Sequence, residues 1–156
     1  MSKTGDSKNQ DDPFNLNRFT SAQAEVYADA LAELRSGRKR THWMWFIFPQ
    51  IEGLGQSATT QFYAIKSLDE ARQYLAHPVL GARLLECAEA VYAIQGRSIS
   101  EIFDFPDDLK LKSCMTLFAC IAGPGSVFAR LLDKYFHGGR DEKTLHLLEE
   151  FKDGQK

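Results

Sequence analysis

Long apolar stretches are missing from this sequence: the longest uninterrupted one, Trp43 to Phe48, is far short of the roughly 20 residues that a bilayer-spanning helix needs. Net charge is nearly missing too. Nineteen lysines and arginines against 21 acidic residues leave a formal −2, which argues against a generally basic nucleic-acid binder. Cysteine is scarce and unpatterned. Cys87, Cys114 and Cys120 contain no CxxC pair, so neither a disulfide frame nor a thiolate zinc site is expected, and all three are predicted to be reduced, buried thiols in a cytoplasmic protein. The four histidines lack HExxH or related spacing, so no metal is expected. A Gly-rich phosphate loop, a nucleophile elbow and a Cys–His pairing at a known spacing are absent as well, and no cofactor is implied. The N-terminal MSKTGDSKNQDDP has no secretory apolar segment and no arginine-rich amphipathic pattern; residues 1–12 read as a disordered polar tail.

What is present suits one domain. With 156 residues, 44% of them apolar and 26% charged, the chain can bury roughly 70% of its unfolded surface. Apolar positions from Phe14 to Leu34 recur mostly with helical period; Thr20 and Gln23 are spaced as a capping box, and Gly37 is placed to end that helix. Trp43 to Phe48 breaks the rhythm and, without any other segment to pair with as a strand, is expected to be a short helix running into a loop. From Ser57 onward helices follow one another. Ser67 with Glu70 and Ser98 with Glu101 are spaced as capping boxes, Pro78 opens the stripe Val79 to Ile94, Gly123-Pro124-Gly125 stops the helix begun near Asp107, and Asp141 caps the last. The fold class is therefore all-α: a single compact domain over residues 13–152, of about six or seven short helices.

The stretch THWMWFIFPQ, residues 41–50, is the strongest site candidate. Trp43 and Trp45 can stack a planar group, with Gln50, Gly53, Gly55 and Ser57 supplying a flexible polar loop beside them. Core packing is the competing explanation, although a core needs neither the glycine loop nor a histidine and a glutamine at the two ends of the aromatic run. His42 can exchange protons near neutral pH. Asp107 and Asp108 suit a helix N-terminus, while Asp108 and Lys112, four apart, can pair on one face and Lys110 can hold an anion as a point charge. Arg38 and Arg40 follow a helix end, where cations complement the dipole, and also suit phosphate. Together these predict a pocket for a nucleotide-like or ribosyl small molecule, with His42 and Asp108 as proton-handling residues and Arg38, Arg40, Lys110 and Lys112 holding anionic groups. If the protein is an enzyme, hydrolysis of an N-glycosidic bond fits best, a carboxylate activating water. The alternative is a non-catalytic interaction module that docks a partner, or a second copy, on a Trp43–Trp45 patch. RNA binding through residues 38–45 ranks last, because it needs the basic groups and rings on one exposed face. Oligomeric state is not legible.

The runs DPFNLNRF, GRKRTHWMWFIFPQIEGLGQS, YAIKSLDEARQYLAHPVLGARLLEC, DDLKLKSCMTLFA and FARLLDKYFHGGRDEKTL resemble the bacterial and fungal domain of unknown function family 1810. The resemblance spans Asp12 to about Leu148. It implies a mainly α-helical single domain and no established activity; some relatives carry the label calpastatin, but nothing in this sequence points to protease inhibition. A weaker similarity, in Lys112, Met115 and Phe118 and in the early aromatic segment with its histidine, runs to the NADAR group of helical proteins linked to ADP-ribose and related N-glycosides. It hints at the ligand class and leaves the acidic residue open among Glu52, Asp107 and Asp108.

Overall fold

The structure, a computed structural model, describes the backbone of residues 11–154 and the side chains of residues 11–150; most of the tail predicted to be disordered lies outside the described residues. Among the described residues there are ten helices and no strand: α1 (Asn17–Gln23), α2 (Tyr27–Arg35), α3 (Met44–Ile47), α4 (Ala58–Phe62), α5 (Leu68–Ala76), α6 (Leu80–Ala93), α7 (Ile99–Ile102), α8 (Asp107–Ala122), α9 (Val127–Phe136) and α10 (Glu142–Gly154). The all-α class holds and the count of six or seven does not. Two causes account for the excess. Three of the helices are single turns, and the first expected helix is broken in two.

The break has a local reason. The Thr20–Gln23 capping box does not form, because the Thr20 hydroxyl donates back to the Asn17 carbonyl and side chain, each at 3.1 Å. Gln23 is instead drawn inside, where its amide donates to the Phe46 carbonyl at 2.7 Å and the Tyr74 hydroxyl at 3.1 Å. Elsewhere the short-range signals work as read. Gly37, at φ 93°, ends α2 in a Schellman motif, its N–H donating to Leu34 and that of Arg38 to the Glu33 carbonyl. Ser98 and Glu101 form the complete capping box of α7. Asp141 accepts the Thr144 N–H at 2.9 Å at the start of α10. Of the Ser67–Glu70 box only the serine half exists, since the Glu70 carboxylate is taken by Arg18 and the Lys66 N–H.

The centre of the molecule is α8, buried almost all round from Leu111 to Ala119, as a helix without a polar stripe must be. It packs on α5, α7, α9 and α10, while α6 packs on α2, α3, α5 and α9. The carbonyls at the end of α6 are collected by α9: the Lys134 ammonium donates to Ile94 at 2.7 Å and the Tyr135 hydroxyl to Val91 at 3.0 Å. Cys87 and Cys114 are buried as expected, and burial pushes the Cys87 thiol up to about 12. Cys120 is not: it lies on the outward side of α8 and is exposed. No described helix is long and apolar enough to cross a membrane.

The segment after α3 carries the candidate site. The chain turns at Phe48-Pro49, and Ile51 meets Ile65 in an isolated parallel bridge, the Ile65 N–H donating to Gln50 and the Glu52 N–H to Ile65, both at 2.8 Å. This pins the loop of residues 50–57 and α4 against α3.

Candidate functional site

The aromatic run is organised by a residue that the sequence gives no reason to single out. Near the end of α2, one Glu33 oxygen accepts the N–H groups of Arg40 at 2.7 Å and Thr41 at 3.0 Å and the Trp43 indole N–H at 2.9 Å, and the other accepts the Thr41 hydroxyl at 2.6 Å. Burial by itself would raise the Glu33 carboxyl, but these hydrogen bonds outweigh it and hold the group down from 4.5 to about 2. A depressed folded-state pKa adds stability above the unfolded value, lost as pH falls toward the folded one. Glu33→Gln is therefore expected to be less stable than wild type at neutral pH, with the gap closing between pH 4.5 and about 2. Urea titrations across that range check it, and a gap independent of pH would mean that the charge of Glu33 is not what matters.

The two indoles part company here. Trp43 is fully buried, its ring 6.4 Å edge-on from Phe103, and no face is left for a ligand. The two differ in position: Trp43 precedes α3 as its N-cap, in a non-helical conformation at φ −146°, whereas Trp45 sits within the turn. Trp45 is half-buried, its N–H 3.3 Å from the Thr60 hydroxyl. Across the fold the ammonium of Lys110, from the first turns of α8, lies 4.8 Å from the Trp45 ring centre. Met44, Phe48, Gln50, Thr60, Tyr63 and Lys110 close a small pocket around the indole, with about 10 Å³ of space, enough for one water.

Around this pocket the structure brings together five of the predicted residues, Trp45, Gln50, Gly55, Ser57 and Lys110. Ser57 caps α4 through the Thr60 N–H and donates to the Thr60 hydroxyl at 2.8 Å. Gly55 is there because a side chain would collide with Thr60, a Cβ falling 2.3 Å from its methyl.

The other predicted residues lie elsewhere. Arg38 pairs with Asp104 at 3.3 Å on the surface, and Arg40 and His42 are exposed. Gly53, at φ 107°, packs toward Leu147. The Lys112 ammonium is 5.7 Å from the Phe136 ring centre, near Gly139. Asp108 accepts the N–H of Leu109 at 2.8 Å and forms no ion pair with Lys112. The carboxylate that meets the lysines is Asp107, 2.9 Å from Lys39 and 3.7 Å from Lys110. Since Lys39 is committed inward to Asp107 and Arg38 to Asp104, the basic run does not act as one strip. Asp107 is one of the three acidic residues that the sequence leaves open, and Thr60, inside α4, goes unrecognised because a threonine in a short helix carries no distinctive pattern.

A family profile described as "Protein of unknown function (DUF1810)" matches residues 13–148. Among solved structures, the crystal structure of a conserved hypothetical protein from Mycobacterium tuberculosis is 56% identical and superposes with a TM-score of 0.87, the match covering 88% of this chain and 99% of that one. No curated protein matches.

Proposed function

Since the chain belongs to the DUF1810 family of proteins of unknown function, which lends it no activity, we propose from the site alone that it binds a planar, anionic small molecule of nucleotide or ribosyl type at Trp45. The observation that carries this reading is the Lys110 ammonium resting over a half-buried indole. Lys110 is both the cover of the pocket and its cation. An exposed cation–π contact contributes about 0.5–1 kcal/mol, whereas stacking a base on an aromatic ring contributes about 1–3 kcal/mol, so exchanging one for the other is favourable. Swinging the flexible lysine stem aside uncovers the ring, and the displaced ammonium is left beside the ligand as a point charge for phosphate or carboxylate. Gln50 and Thr60 supply hydrogen bonds at the rim.

Binding is better supported than hydrolysis, because neither His42 nor any carboxylate, Asp107 and Asp108 included, lines the pocket. If an N-glycosidic bond is cleaved here, Asp107 is the carboxylate to activate water, by virtue of its 3.7 Å approach to Lys110. The docking alternative loses half of its patch with Trp43, which exposes nothing.

Titration calorimetry with adenosine monophosphate and ADP-ribose tests the proposal. Wild type is expected to bind at least one of them, Trp45→Ala to lose about tenfold or more in affinity, and Lys110→Met to lose the preference for the phosphorylated ligand over adenosine. No binding of either compound at millimolar concentration would sink it.

A further inference from the structure

The other flank of α4 carries a larger opening, independent of the Trp45 pocket. It has a volume of about 720 Å³, within the range of small-molecule sites. Phe14 and Phe62 provide apolar walls, and Phe62 is 52% exposed although large and aromatic. The floor is the buried pair of Arg18 and Glu70, 2.7 Å apart, whose charges cancel and whose hydrogen bonds are all spent on protein groups. It offers a ligand shape and rigidity without charge.

Charge comes from the rim. Ile51 and Ile65 pair in parallel, and the residues that follow them, Glu52 and Lys66, both line the cleft. They are exposed, and among the described residues neither forms an ion pair, with the other or with any third side chain; the Lys66 ammonium touches only the carbonyls of Gln61 and Ala64, each at 3.3 Å. Next to them the Ser67 hydroxyl accepts the Glu70 N–H at 3.0 Å and donates to no protein acceptor among the described residues. Two opposite rim charges without ion-pair partners, in a cleft with an exposed aromatic ring, complement a molecule carrying an ammonium and a carboxylate on one carbon and an apolar group beyond it.

We propose that this cleft binds a free α-amino acid with a large apolar or aromatic side chain. Its ammonium meets Glu52, its carboxylate meets Lys66 and the Ser67 hydroxyl, and its side chain lies against Phe62. A ligand with one charge satisfies only half of the rim, so preference for the zwitterion follows.

Calorimetric titration of the full chain with phenylalanine, phenethylamine and phenylpropionate tests this. Phenylalanine is expected to bind wild type in the millimolar range or tighter, and each single-charge analogue about tenfold more weakly or worse. Glu52→Gln should erase the advantage of phenylalanine over phenylpropionate, and Lys66→Met its advantage over phenethylamine; both residues are exposed, so the fold survives either change. Trp45→Ala should bind phenylalanine unchanged, which separates this site from the pocket proposed above. Absence of phenylalanine binding, equal binding of the three compounds, loss of binding in Trp45→Ala or unaltered binding in Phe62→Ala would each overturn the proposal.

Discussion

Arg18→Ala is expected to lower stability by about 3–5 kcal/mol, the cost of stripping one partner from a buried ion pair. The five N–H groups of Arg18 are all in use. Nε donates to the Phe62 carbonyl at 2.7 Å, Nη1 to Phe14 at 2.7 Å and Asn15 at 2.9 Å, and Nη2 to the Ala64 carbonyl at 2.9 Å and the Glu70 carboxylate at 2.7 Å. One side chain thus ties the entry of α1 to the end of α4 and the start of α5. Alanine leaves four carbonyls without this donor and the Glu70 carboxylate buried without its counter-charge; Arg18→Lys should recover little, because a single ammonium cannot reach so many acceptors in a plane. For a domain whose total stability is about 5–15 kcal/mol, that loss makes much of the molecule marginal. Urea unfolding measures it. A loss below about 1 kcal/mol would mean that water reaches and solvates these groups once the guanidinium is gone.

The second large effect is expected at Gly81. At the corner between α5 and α6, a Cβ on this residue would lie 2.0 Å from the Leu75 carbonyl oxygen and 2.8 Å from its carbon. The obstacle is backbone, so no rotamer relieves it, and the two helices must move apart. Gly81→Ala is expected to cost about 3 kcal/mol, the upper end of the usual overpacking range. Helix propensity points the other way, alanine being favoured over glycine by about 1 kcal/mol inside a helix. The sign of the thermal shift therefore decides the matter: a variant as stable as wild type would show that the corner yields without strain.

Neither residue stands out in the sequence. Arg18 reads as one of many surface cations and Gly81 as a weak spot in a good helix, because the partners that give them meaning, Glu70 and the Leu75 carbonyl, are brought to them by the fold. The site shows the same division. That the aromatic run and the start of α8 belong together was legible, because rings beside glycines and lysines at a helix start are informative by composition, and Lys110 does meet Trp45. Which ring faces the pocket was not, since whether α3 begins before or after Trp43 is not marked in the sequence. The assignment of proton-handling roles to His42 and Asp108 rested on residue type and on nearness in sequence to the aromatic run and the lysines, and neither residue lines the pocket beside the half-buried indole.

What the sequence by itself determined is the helical class and many of its local punctuation marks: the Gly37 stop, the Ser98–Glu101 box, the Gly123 end of α8 and the Asp141 cap. Their hydrogen bonds close within a few residues, so composition and spacing are enough to specify them. Tertiary structure alone decided that Glu33 takes the Trp43 indole, that Lys110 rather than Lys112 covers Trp45, and that Glu52 and Lys66 share a rim. Each of these depends on the path of the chain between its members, and that path is set by the whole core around α8.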